Sequence, residues 1–218
     1  MIEEILLPAV AAAEAFEDPP DAALFPEEQA VISHAVEKRR REFTTARSCA
    51  RAALARLGQP PVAILPGERG SPGWPPGIVG SITHCAGYRA AAVGRAAEVL
   101  AIGVDAEPDA PLPDGVLRVI SLAAERDRLG GLAQSAPGPN WDRMLFCAKE
   151  SVYKAWFPLA GRWLGFEQAE ITLDPAGGTF TARLLVPGPE VDGRELTAFD
   201  GHWLARDGLI LTAISVAR

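Results

Sequence analysis

The chain has 218 residues, 48% of them hydrophobic, enough for one large domain or two small ones with a sizeable core. Its formal net charge of −7 and pI near 5.1 argue against non-specific nucleic-acid binding. No apolar run approaches the ~20 residues of a membrane helix, and Glu3 and Glu4 stand where a signal peptide would be basic. Cys49, Cys85 and Cys147 are odd in number and in no C-x-x-C spacing, which points to reduced thiols in the cytoplasm and against a zinc site.

In chain order, Met1–Val10 reads as a strand, followed by an acidic, proline-containing loop to Asp21. Phe25-Pro26-Glu27-Glu28 has proline and acids where a helix starts. The helix it opens carries Val31, Ile32, Ala35 and Val36 on one side and turns basic at Lys38, Arg39, Arg40 and Arg41. Glu42–Thr45 is expected to interrupt it, and Arg47–Gly58 to resume as an alanine-rich helix ended by glycine. Arg47 and Arg51 share a face, whereas Arg56 points away. By residue type these arginines suit a solvated helix face or, in an acidic protein, a seat for an anionic ligand.

Gln59–Gly73 reads as a Pro/Gly loop with a short apolar insert, Val62–Leu65. Ile78–Thr83 and Tyr88–Val93 read as a hairpin closed by His84-Cys85-Ala86-Gly87. His84 is in no ligand spacing with His34 or His202, so a structural histidine is the plain reading of it. Val99–Val104 is a branched, apolar strand. Asp105 and Glu107, two apart, leave its end on one face before Pro108 stops it. Such carboxylates are turn formers or, joined by a third acid, an all-oxygen site for a hard cation, Mg²⁺ first. Val116–Pro139 reads as a helix-like segment and loop forming a mobile flap.

Trp141–Trp156 lacks proline and glycine and reads as a helix of about four turns. Leu145, Ala148, Val152, Ala155 and Trp156 share its apolar face. Phe146, Glu150 and Lys154 line another face, with Lys149 and Tyr153 between the two. Spacing alone makes Glu150 and Lys154 an exposed ion pair worth ~0.3–0.5 kcal/mol. The remainder reads as β: Ile171–Leu173, Thr179–Leu185, and His202–Arg206 joined to Leu209–Val216 through Asp207-Gly208. Strands and helices come in groups, which argues α+β.

GVDAEP and FCAKESVYKAW together resemble the two signature blocks of the 4′-phosphopantetheinyl transferases of the surfactin-synthetase class. That pattern is G-x-D-x-E and, about forty residues on, F/W-x-x-K-E-x-x-x-K. Gly103, Asp105, Glu107, Phe146, Lys149, Glu150 and Lys154 match its fixed positions. WPPGIVGSITHC (Trp74–Cys85) is similar to the subgroup that holds the enterobactin-synthase transferase and its actinobacterial relatives. RRREFTTARSCARAAL (Arg39–Leu54) resembles the family's basic N-terminal helix.

The resemblance implies two similar α+β halves, 1–108 and 109–218, each an antiparallel sheet with a helix on it, related by a pseudo-twofold with coenzyme A in the cleft. It implies Mg²⁺-dependent transfer of 4′-phosphopantetheine from coenzyme A to a serine of an apo acyl or peptidyl carrier protein, by a monomer, releasing adenosine 3′,5′-bisphosphate. Asp105, Glu107, Glu150 and the carbonyl of Ala106 would hold the metal. Lys154 and Lys149 would add positive charge, and Glu150 would be the general base. Arg39, Arg47, Thr83 and His84 would contact phosphates of coenzyme A. Arg69 would replace the basic residue that relatives carry where this chain has Pro66, and Trp163 would lie beside the pantetheine arm. A Mg²⁺-dependent phosphodiesterase using the same acids, or a non-catalytic coenzyme A-binding protein, are the alternatives.

Overall fold

Three short strands of the first hundred residues, β1 (Val10–Ala15), β2 (Ile78–Cys85) and β3 (Tyr88–Arg95), form an antiparallel sheet in the order β1-β3-β2. The coordinates are a computed structural model that describes residues 1–136 and 138–218. The middle strand β3 is buried along its length up to Arg95. Its Ala91 and Val93 face α2 (Glu37–Arg56), which follows the short α1 (Pro26–Val31) and lays Cys49, Ala50, Ala53 and Leu54 on the sheet. Small residues on both surfaces let helix and sheet approach closely.

The first elements differ from the sequence reading in three places. Met1–Val10 is no strand: Ile2–Ile5 is a single 3₁₀ turn with both isoleucines buried, and β1 starts only at Val10. The helix break falls at 32–36, and α2 runs unbroken through Glu42–Thr45. Burial of Phe43 and the Thr45 hydroxyl's hydrogen bond to Asp18 outweigh the weak helix propensity of the two threonines. The hairpin turn is Ala86-Gly87 alone, with Gly87 at φ 75°.

The second sheet holds β4 (Val99–Pro108), β5 (Ala169–Asp174), β6 (Thr179–Leu184), β9 (Ala198–Arg206) and β10 (Leu209–Ala217), in the antiparallel order β4-β10-β9-β6-β5. A small hairpin, β7 (Glu190–Val191) with β8 (Arg194–Glu195), was not foreseen. Asp207-Gly208 makes the β9–β10 turn, as expected. The strand of the acids, β4, is hydrogen-bonded to β10 and so belongs to this sheet. Its other edge meets β2 through side chains: the Val104 amide donates to Ser81 Oγ (3.1 Å) and the Ala106 amide to Thr83 Oγ1 (3.0 Å). Two hydroxyls thus satisfy backbone groups that would be orphaned where the sheets adjoin.

Two short helices, α3 (Val116–Ile120) and α4 (Ala123–Ser135), precede α5 (Trp141–Ala160). Ile120 and Leu129 are buried in the main core, so this segment is packed and not a free flap; the loop expected after it lies partly outside the described residues, at Pro137. The long helix α5 covers β4 and β10 with Leu145, Ala148, Val152, Ala155 and Trp156, all buried as its periodicity required. Gly103 makes this possible: a Cβ there would stand 2.0 Å from the Ser151 carbonyl oxygen. Pro158 sits in the last turn of α5, which ends at Gly161 in the left-handed region. Among the described residues no helix is long and apolar enough to cross a membrane.

Candidate active site

Where β2, β4 and α5 meet, Asp105 is 5% exposed. Its Oδ1 accepts hydrogen bonds from Lys154 Nζ (2.6 Å) and Thr83 Oγ1 (3.1 Å), and its Oδ2 is buried with no partner. The Lys154 ammonium also donates to the Val104 carbonyl at 3.0 Å. Burial would lower the affinity of Lys154 for its proton, but the charge and hydrogen bond of Asp105, with Glu150 behind them, outweigh it and raise it. The expected exposed Glu150–Lys154 pair is therefore not what forms: Lys154 reaches across to the strand.

Two further carboxyls stand in the same field. Burial, then the charge of Asp105, push Glu150 above the usual carboxylate range, with Lys154 opposing. Burial and Asp105 likewise raise Glu107, against Arg143 and Lys154. Glu107 is drawn off by Arg143, whose Nη1 lies 2.9 Å from its Oε2 while Nε and Nη2 donate to the carbonyls of Ala110 and Pro111 at 3.0 Å. The three-acid cage expected for a metal is thus not preformed. Among the described residues no group of three His, Cys, Asp or Glu side chains converges as a metal site. The donors still fit a hard cation: an orphaned buried Oδ2 and two carboxyls raised by burial and mutual repulsion are what such an ion would relieve. The Ala106 carbonyl, on the same side of β4 as its amide, faces β2 as well.

Beside the acids lies the N-terminal sheet's contribution. Arg39 Nη1 donates to His84 Nε2 at 2.6 Å, which leaves the imidazole proton on Nδ1, 3.7 Å from Glu42 Oε2. Burial and then the Arg39 charge lower the His84 pKa, so the ring is neutral. Thr83 is 2% exposed with its hydroxyl engaged by Asp105 and the Ala106 amide, so it orients the acid instead of facing outward to a phosphate. Arg47, expected to contact a phosphate of coenzyme A, is buried: its guanidinium lies 3.5 Å over the Phe43 ring, its Nε bonds the Ile64 carbonyl (3.3 Å), and burial lowers its pKa to about 10. Arg51 is no surface residue either, pairing at 2.9 Å with the fully buried Glu28.

On its other side Glu150 lines a small cleft with Tyr153, Trp163, Leu164 and Phe166. Trp163 is 57% exposed, packed against Tyr153 with ring centroids 4.9 Å apart and planes tilted by 54°, and the Arg69 guanidinium lies 5.5 Å from the centroid of its ring. The loop that departs from the family at Pro66 therefore does bring a cation to Trp163. Lys149 also lines this cleft, but its ammonium is turned away and buried against Glu125. Arg143, Glu125 and Glu42 were missed by sequence reasoning. Only Arg143 carried a signal, seven residues before Glu150 and so on the same helix face.

Comparisons with known proteins agree with one another. The family model described as 4′-phosphopantetheinyl transferase N-terminal domain matches residues 27–94, and the one described as 4′-phosphopantetheinyl transferase superfamily matches 101–207. The chain is 59% identical over 216 residues to the 4′-phosphopantetheinyl transferase Svp of Streptomyces mobaraensis, covering 97% of this chain and 88% of that one. It is 54% identical over 225 residues to the 4′-phosphopantetheinyl transferase Npt of Nocardia iowensis, covering all of both. Enterobactin synthase component D of Salmonella typhi is more distant, 32% identical over 180 residues, 82% of this chain and 72% of that one.

Proposed function

The chain belongs to the 4′-phosphopantetheinyl transferase superfamily, and on that premise we propose that it moves 4′-phosphopantetheine from coenzyme A to a serine of apo acyl or peptidyl carrier proteins. The serine oxygen would bond to the β-phosphorus as the bond to the leaving adenosine 3′,5′-bisphosphate breaks. One observation carries the reading: Glu150 belongs at once to the acidic cluster around Asp105 and to the wall of an adjoining cleft. A base and a binding cavity thus share one side chain.

Glu150, its carboxyl raised by burial, is a stronger base than an ordinary glutamate and takes the serine proton. Lys154, held on Asp105, places fixed positive charge where negative charge develops. Arg39 and the neutral His84, with Arg47 behind them, form the anion-binding side for the nucleotide phosphates. Trp163, with Arg69 beside its ring, bounds the cleft where the pantetheine arm would lie. Asp105, Glu107, Glu150 and the Ala106 carbonyl are the residues that would hold Mg²⁺, which when bound neutralises pyrophosphate charge.

The two halves, 1–108 and 109–218, would act as one monomeric unit in the cytoplasm, with β4 shared between them in function. Its carriers would be those of polyketide, peptide or siderophore synthesis. Incubating the protein with coenzyme A, Mg²⁺ and an apo carrier domain should raise the carrier's mass by one phosphopantetheine. Release of free phosphopantetheine without a carrier would favour a hydrolase, and no gain on fatty-acid, polyketide and peptidyl carriers alike would refute the proposal.

A further inference from the structure

Lys149 has a side chain 2% exposed and all its donors engaged: Glu125 Oε2 at 2.9 Å, the Phe166 carbonyl at 2.6 Å and the Ala169 carbonyl at 2.9 Å. An ammonium group has three N–H donors, so none is left for a ligand. Glu125, 1% exposed, is as fully engaged. Its Oε1 accepts the Ile171 amide and its Oε2 the Leu122 amide, both at 2.7 Å. A single buried ion pair therefore ties the start of α4, the middle of α5 and the backbone of 166–171 together. The residues just before that backbone, Trp163 to Phe166, are the far wall of the cleft that Glu150 lines.

A buried ion pair is a poor device for stability alone, because an apolar pair of the same volume stabilises as well or better. What it adds is direction, since four backbone groups must meet two side chains in one geometry. We propose that Lys149 and Glu125 are positioning residues that clamp the 164–169 segment against α5. They thereby set the wall on which the pantetheine arm of coenzyme A lies, without either charged group touching the ligand. The proposal rests on the transferase reading for the identity of the ligand, and on the hydrogen bonds above for the clamp.

Two ligands separate the possibilities, coenzyme A and adenosine 3′-phosphate 5′-diphosphate, which keeps all three phosphates and lacks only the arm. Their affinities would be measured by calorimetry on the full chain, at a temperature where circular dichroism shows each variant folded. Glu125→Gln and Lys149→Met should each weaken coenzyme A by about 10–100-fold, the usual effect of removing groups that support a site from behind. Both should leave affinity for the arm-less nucleotide unchanged, and the double variant should be no worse than the singles. Hydrogen exchange at 164–171 should quicken in both. If a single variant does not fold, Glu125→Leu/Lys149→Met, which leaves no unpaired buried charge, takes its place with the same expectation. Equal loss of both ligands in Lys149→Met alone would show that Lys149 touches phosphate and overturn the proposal. Unchanged coenzyme A affinity in folded variants would reduce the pair to a structural role and overturn it too. Were the wild type to bind no coenzyme A, the transferase reading and the ligand half of this proposal would fall together, while exchange at 164–171 still decides the clamp.

Discussion

Replacing Asp105 by asparagine perturbs the site with least change of shape. The amide keeps Oδ1 as an acceptor for Thr83 and Lys154 but loses the charge, and it puts an NH₂ where the buried Oδ2 has no partner. Breaking a fully buried ion pair costs about 3–5 kcal/mol when the remaining charge is trapped. Lys154 is not fully trapped: its side chain is 26% exposed and keeps the Val104 carbonyl. Removing Asp105 also relieves the repulsion that raises Glu150 and Glu107. The expected loss is then about 2 kcal/mol, below the trapped-charge range. In a chain of this size that is a fall in Tm of about 4–8 °C. Carrier modification followed by mass spectrometry should fall by at least about 10²-fold, the usual minimum for losing a charge that acts in the transition state. Adding Lys154→Met should restore much of the stability and none of the activity. An Asp105→Asn protein with wild-type Tm and wild-type turnover would refute both the ion-pair energetics and the placing of the site.

Thr83→Val keeps the shape of the side chain but removes the hydroxyl from Asp105 and from the Ala106 amide; it should cost about 1–3 kcal/mol in urea denaturation and lower turnover. A variant that lost only coenzyme A affinity would instead return Thr83 to the phosphates. Glu150→Gln should lower the rate by about 10²–10⁴-fold. Rescue by raised Mg²⁺ would mark a ligand, and a low rate that saturating metal leaves unchanged would mark the base. Away from the site, burial pushes the Glu14 carboxyl up, but hydrogen bonds from the Met1 amino group, the Tyr88 hydroxyl and the Ile2 amide outweigh it and hold it below its ordinary 4.5. A lowered folded pKa gives stability that is complete above about 4.5 and lost as pH falls through the folded value. Glu14→Gln should therefore flatten part of the acid limb of a Tm-against-pH profile, and an unchanged limb would show that Glu14 does not contribute to it.

The helix on which the site is built was legible because periodicity is a property of one element. Leu145, Ala148 and Val152 had to face a core wherever that core lay, and the matched spacing of Asp105, Glu107, Glu150 and Lys154 marked the residues that the fold brings into one field. What spacing could not assign was each side chain's partner, because partners come from other elements. Asp105 read as a strand-end acid of little weight to the core, yet β2 lies along β4 and buries it under Thr83. Arg47 read as open to solvent or to an anionic ligand because nothing in its own helix shows that the loop at Ile64 closes over it.

Lys149 shows the limit most sharply. It lies next to Glu150 in the chain, but adjacent residues on a helix diverge by ~100°. Glu150 is thereby turned to the acids and the cleft, while the lysine before it is turned to Glu125 on α4. The two residues are consecutive letters of one motif and have opposite electrostatic surroundings. Burial with a carboxylate and two carbonyls uses up the charge of Lys149, whereas Lys154, four residues beyond Glu150, keeps an exposed edge towards the site. A motif therefore fixes which residues matter before it fixes what they touch. For two lysines of the same type on the same helix, the division between holding the site and acting in it is made by α4 and β4, elements that the motif does not contain.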